Sequence, residues 1–281
     1  MQRLPSFLLA CASLLLCSCN KFSNGDTVTQ KREINGHFHT LILNDDVDVT
    51  LRHSTYDTVA GSCWITAGDH LIDQIRIENP MHDTVIDNQT QHIPSYDTVL
   101  ISNDNTLNWL RPYDTRLHIL LYYDKNSLGK IIFNTNGEFY SDALQGVYQT
   151  DIIDSVTIQR PHLSVDIIGG SSDIHLTTET QLLHLNYYYG TASLDLQGEV
   201  SSYMELNLKQ NSHGPVNGRK LWVDHVNIHH SGTGRIITTA KIINASINNN
   251  GEVVYYRDLL SQEPFQTIRM ESSPYAYPPT Q

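Results

Sequence analysis

Six residues between positions 103 and 113 carry the most distinctive chemistry of the chain: Asn103, Asn105, Asn108, Trp109, Arg111 and Tyr113. The faces of Trp109 and Tyr113 suit stacking on sugar rings, and the amides with Arg111 suit hydrogen bonds to hydroxyls. One reading is therefore a glycan platform. The other is a structural corner, with asparagine side chains capping turn backbone and Trp109 plugging the core; this second reading is the one expected. His184, Glu205 and His225 form another set, in one outward column if successive strands stack about 4.8 Å apart, where they could converge on zinc. With 14 histidines in the chain such coincidences are frequent, so a solvated polar face is expected, with no metal and no cofactor. His225 and His229 would stand about 13 Å apart on a strand and cannot share an ion. Asp166, Asn186, Asn207, Asn227 and Ser246 form a further column, either a ladder of hydrogen bonds or an active groove. No Ser-His-Asp set, phosphate loop or metal motif occurs at a credible spacing. No catalytic residue is assigned, and the chain is expected not to be an enzyme.

The elements that must position these groups are strands. Ala, Glu, Lys and Arg are scarce beside Asn, Thr, Ser, Asp and Tyr, a balance that favours turns and strands. The net charge is −12, which argues against nucleic acid and against anionic lipid headgroups as partners.

Residues 1–18 have the form of a targeting signal. Arg3 is a minimal basic start, and Leu4 to Leu16 is apolar but too short to span a bilayer. The run Leu16-Cys17-Ser18-Cys19 resembles a bacterial lipobox, in which the second cysteine is diacylated and becomes the new N-terminus. Lipidation at Cys19 would anchor the chain, because each buried CH₂ contributes roughly 0.8 kcal/mol and stable anchoring takes more than one acyl chain. Cys11 and Cys17 would leave with the signal, so Cys63 would remain alone, a buried structural thiol without a disulfide partner. Removing residues 1–18 takes the net charge to −13. Asn20 after Cys19 points to the outer membrane by the familiar enterobacterial sorting pattern, on its periplasmic face or at the cell surface.

Residues 19–30 read as a lipidated polar tether. Val47, Val49 and Leu51 alternate with Asp46, Asp48 and Thr50, the period of a half-buried strand, and Leu117, Ile119 and Leu121 repeat it. Residues 79–97 form a polar excursion, a surface loop or hairpin. From residue 160, columns recur every 19 to 21 residues. Val165, Leu185, Leu206, Val226 and Ala245 make one, flanked by Ile167, Tyr187, Leu208, Ile228 and Ile247. Leu163, Leu183, Met204, Asp224 and Ile243 make another, in which only Asp224 is polar. A fixed period, alternation within each copy and glycine-bearing turns predict a parallel β-solenoid, β-helix-like, in preference to an antiparallel sandwich. Residues 259–281 are Pro-rich and aperiodic, and a loosely attached tail is expected.

Four stretches stand out: Arg32 to Phe38 with Leu41, Leu43, Val47, Val49 and Leu51; Gly68-Asp69-His70-Leu71-Ile72; residues 101–114 (ISNDNTLNWLRPYD); and residues 248–258 (NNNGEVVYYRD). Together they resemble a family of bacterial envelope proteins common in Bacteroidota, the putative auto-transporter adhesin, head GIN domain family. The resemblance spans roughly residues 31–258. It implies an all-β, right-handed solenoid in two lobes, 31–125 and 126–258, on a lipoprotein or secreted protein without known catalysis. The expected function is a non-catalytic envelope lipoprotein, an adhesin or a binding or structural protein. It would meet the membrane through its lipid and take a glycan or protein ligand, with no nucleic acid. The alternatives are a carbohydrate-active enzyme on a β-helix and a periplasmic sensor or regulatory partner.

Overall fold

Alternation sets the strands. Val49 and Leu51 are buried while Asp48, Thr50 and Arg52 between them remain accessible, because successive side chains of a strand point to opposite faces. The computed structural model describes residues 24–86, 89–95, 97–105, 117–153 and 156–269. The first strands are β1 (Thr27–Glu33), β2 (Thr40–Asp45), β3 (Asp48–His53), β4 (Ser62–Gly68) and β5 (Ile75–Glu78). A hairpin follows, β6 (Met81–Ile86) with β7 (Gln89–Pro94), and then β8 (Thr98–Asn103) and β9 (His118–Tyr123). Next come β10 (Lys130–Thr135), β11 (Glu138–Ser141), β12 (Val147–Ile153) and β13 (Val156–Gly169). The longest strands are β14 (Asp173–Gly190), β15 (Ser193–Ser212), β16 (Val216–His230) and β17 (Arg235–Ile247), closed by β18 (Glu252–Tyr256) and β19 (Gln266–Arg269). A 3-10 turn at Ile72–Gln74 is the only regular helical element among the described residues.

The fold is all-β. Seventeen strands join one curled, mixed sheet that forms a half-barrel around a single apolar core, and β6–β7 stands as a separate pair. From β13 to β18 each strand pairs in parallel with the next in the chain. Antiparallel pairs bound this ladder: β1 with β4, β5 with β8, β12 with β13, and β18 with β19. Strand β10 pairs with both β2 and β13, and β11 with both β3 and β14. Sheet and core therefore cross the expected lobe boundary at 125/126 without a break.

The observed register corrects the predicted columns at one rung. Leu163, Leu183 and Met204 are in line as expected, but the next residue is Val226, followed by Ile243. Asp224, the polar exception, is not in that column. Likewise Leu206 faces Ile228 rather than Val226, and Leu208 faces His230 rather than Ile228. The distance from Leu206 to Ile228 is 22 residues and from Ile228 to Ala245 it is 17. The wide offset is already present where β15 and β16 begin to pair, at Leu194 with Val216, and the bulge between Gly218 and Trp222 shortens the next one, so an even period fits the ends and misplaces the middle. The slip is two residues, so inward and outward faces are preserved.

Two further expectations are corrected. The tether does not extend to residue 30, since Thr27–Gln30 already pair with β4. The C-terminal stretch is not loose throughout: residues 266–269 pair with β18, and Ile268 is buried. The expected excursion at 79–97 is the β6–β7 hairpin. Cys63 is a free, buried thiol, and burial pushes its pKa up to about 12 against the opposing pull of Arg32. A thiol so disfavoured as thiolate is unreactive at neutral pH.

Candidate functional site

The long strands β14, β15 and β16 each bend midway, and the register shifts there. The shifts fall between Thr180 and Leu182, between Val200 and Tyr203, and between Gly218 and Trp222. A bulge leaves extra residues unpaired and bends the strand, so Gln181 and Ser201 stand out from the ladder. Stacked bulges open a groove of about 800 Å³ across the rungs. Its near end is Tyr148, exposed to 66%, beside Pro161, its partner across the β12–β13 pair. Its far end is Leu259.

Along the groove Glu179, Glu199 and Trp222 are in register on three successive strands, about 4.8 Å apart per step. Asn126, Gln145 and Gln181 add amides to the lining. The conformation of Gly198 is required here. Its φ is +108°, and a Cβ would lie 2.1 Å from the Thr178 carbonyl oxygen. Only glycine takes that geometry without cost, and it sets Glu199 beside Glu179. Gly146, with φ +76° and the His162 carbonyl oxygen 2.4 Å from its would-be Cβ, plays the same part at the Tyr148 end. The far end is held by Arg219, extruded by the β16 bulge. Its guanidinium donates to the carbonyls of Asp258 and Ser261 and lies 4.1 Å over the Tyr256 ring.

A second outward column runs over the same strands. Lys130 pairs with Asp166 at 2.8 Å, the Asn186 amide donates to Asp166 at 2.9 Å, and the Asn207 amide donates to Asn186 at 3.0 Å and to Glu205 at 3.1 Å. His229 and Ser246 continue this column, and Asn227 belongs to the neighbouring one. Of the predicted column, the structure thus brings Asp166, Asn186, Asn207 and Ser246 together and displaces Asn227.

His184 and Glu205 are in register, with Nε2 to Oε2 at 3.9 Å. His225 does not join them: Asn227 occupies the place opposite Glu205, and His225 faces Tyr203, their rings 5.6 Å apart. No group of three His, Cys, Asp or Glu with metal-holding geometry occurs among the described residues. Of the Asn103 to Tyr113 set, Asn108, Trp109, Arg111 and Tyr113 lie outside the described residues, as does Cys19. Asn103 donates to the Asp46 carbonyl at 3.0 Å, and Asn105 donates to the Leu71 carbonyl at 3.1 Å and to Asn103 at 2.7 Å. Both amides are occupied in joining turns.

The groove is absent from the sequence-based candidates. Its lining comes from segments more than a hundred residues apart, from Asn126 to Leu259. One local sign was present, a glycine inside an otherwise alternating strand at Gly198, which marks a bulge.

The family described as putative auto-transporter adhesin, head GIN domain, matches residues 37–258. Among solved structures, a putative adhesin from Bacteroides fragilis has a TM-score of 0.55 at 18% identity, covering 83% of this chain and 90% of that one. A putative lipid binding protein from Parabacteroides distasonis gives 0.48 at 13% identity, covering 84% and 99%. A putative adhesin from the same species gives 0.45 at 13%, covering 83% and 95%. The likeness to the Bacteroides fragilis protein establishes the fold alone. No curated protein matches the chain.

Proposed function

Because the chain belongs to the putative auto-transporter adhesin, head GIN domain, family, we propose that it is a non-catalytic binding protein of the cell envelope whose ligand lies in the groove of stacked bulges. The observation that carries this reading is the groove itself: about 800 Å³, crossing the rungs, with aromatic and amide groups converging on it. Binding sites combine apolar walls with a few placed polar groups, and a groove across parallel rungs suits an extended ligand. The sheet winds as a right-handed parallel solenoid on this reading, supported by the parallel pairing of consecutive strands and by the strong right-handed preference of parallel crossovers. Diacylation at Cys19 holds the protein on the outer membrane, supported by the lipobox-like Leu16-Cys17-Ser18-Cys19.

The in-register pair Glu179 and Glu199 favours a second reading, glycoside hydrolysis, since two carboxylates are its usual requirement. The two acids must however flank the scissile bond. Here they stand on neighbouring rungs of one wall, and no other acid is among the lining residues. Binding without turnover is the better fit.

The test is incubation of the full chain with a broad panel of envelope and host glycans, following binding by calorimetry and products by mass spectrometry. Binding weakened in Tyr148→Ala, with no product from any glycan, is expected. Reproducible cleavage lost in Glu179→Gln or Glu199→Gln would overturn the non-catalytic reading. For the anchor, labelled fatty acid should enter the wild type and not Cys19→Ala.

A further inference from the structure

Glu179 and Glu199 present a charge problem that the fold itself does not solve. They are directly opposite on parallel strands, where like charges destabilise, and both are exposed. Other carboxylates of the sheet meet a cation: the half-exposed Asp224 with Lys241, and the more covered Asp166 with Lys130 and Glu252 with Arg235 and Arg269. Neither groove glutamate forms a salt bridge among the described residues. The next residue in their column is Trp222, whose ring system attracts cations over its face, and Tyr148 stands at the near end.

Resting on the groove-binding reading, we infer that the groove takes an amine-bearing glycan, a sugar chain with free hexosamine ammonium groups. The two carboxylates accept hydrogen bonds from the ammonium and neutralise it, a charge-assisted contact stronger than a neutral one. Trp222 and Tyr148 offer flat apolar faces to the pyranose rings. Asn126, Gln145 and Gln181 are both donors and acceptors, which is what sugar hydroxyls require. A lysine-rich peptide would also satisfy the glutamates, but it lacks the flat pyranose faces that stack on Trp222 and Tyr148 and its ammonium groups sit on long, flexible stems. The overall negative charge of the chain also draws a cationic chain toward it.

The experiment is calorimetric titration of the full chain with three probes: a fully deacetylated glucosamine tetrasaccharide, its N-acetylated counterpart, and tetralysine. The deacetylated sugar is expected to bind at least tenfold more tightly than the other two. The preference should shrink at high salt and be lost in the Glu179→Gln/Glu199→Gln double variant. That variant should melt no lower than wild type, because it removes a repulsion. Equal binding of both sugars would overturn the amine inference while leaving the groove reading intact if Tyr148→Ala weakened both. Tighter binding of tetralysine would replace the glycan by a peptide partner. Absence of binding by all three probes, or a melting point several degrees lower in the double variant, would also overturn the inference. Sugar binding indifferent to Tyr148→Ala would instead sink the groove reading itself.

Discussion

Two outward columns cross the same parallel strands and end in opposite electrostatic states. In the first, Asp166, Asn186 and Asn207 hand hydrogen bonds from rung to rung, and Lys130 closes the end. In the second, Glu179, Glu199 and Trp222 share the spacing but exchange no such bonds. The difference follows from the side chains. A carboxamide donates and accepts, so copies stacked in register satisfy one another, whereas an ionised carboxylate only accepts and cannot partner its own kind. One column belongs to the fold. The other leaves its acceptors at the solvent-exposed surface of the groove, where a ligand that supplies donors can replace water.

The comparison can be broken at several points. The largest expected effect is at its base, the inward face that both columns presuppose. Leu206→Asp should cost several kcal/mol, since it buries a lone carboxylate in the core, whereas the adjacent Asn207→Asp should cost about 1 kcal/mol through lost hydrogen bonds. Comparable shifts in denaturant midpoint would show that inside and outside are misassigned. Next comes the ladder. Asn186→Ala removes a donor from Asp166 and an acceptor from Asn207, for an expected loss of about 1–2 kcal/mol. If it unfolds at the same denaturant concentration as Gln181→Ala on the groove side, the two columns are energetically alike.

The smallest effect is a dependence on pH. His230 is fully buried, its Nε2–H donates to the Gly234 carbonyl at 2.7 Å, and its Nδ1 has no partner among the described residues. Burial lowers its pKa from the usual 6.5, against a smaller opposing effect of the Gly234 bond. Below that ordinary value the unfolded chain takes up the proton more readily, so stability declines as pH falls from about 6.5 toward the folded value and levels off beneath it. Melting curves from pH 8 to pH 5 should show a steeper decline for the wild type than for His230→Gln. Parallel declines would place the titration elsewhere.

Much of the architecture was legible because strand periodicity is a local signal. Val165, Leu185 and Leu206 announce an inward column, and the structure keeps them there. The fourth rung was misread because bulges are not local in their effect. An expansion before β16 and a contraction at its bulge leave the repeat from Leu206 to Ala245 unchanged in total. A histidine as the buried fourth member, His230, is also contrary to any rule that polar side chains face water. Asn103 and Asn105 could be read as turn amides from their type alone, and each donates to a backbone carbonyl. The groove was hidden for a different reason. Its walls meet only because three separate bends stack, and no segment shorter than the whole ladder contains both Tyr148 and Leu259.

The reversal of direction at the last rungs has a consequence for association. A parallel ladder ends in unpaired N–H and C=O groups, a template on which another chain can grow into a fibre. Here β19 turns back antiparallel along β18 and seats Ile268 in the core. Arg269 and Arg235 both meet Glu252 at that margin, so the edge carries charge where an incoming strand would need to shed water. Along β18 the stack is thereby terminated against indefinite end-to-end polymerisation, and a short return strand after a Pro-bearing loop is what keeps this margin of a fibril-like arrangement of rungs closed.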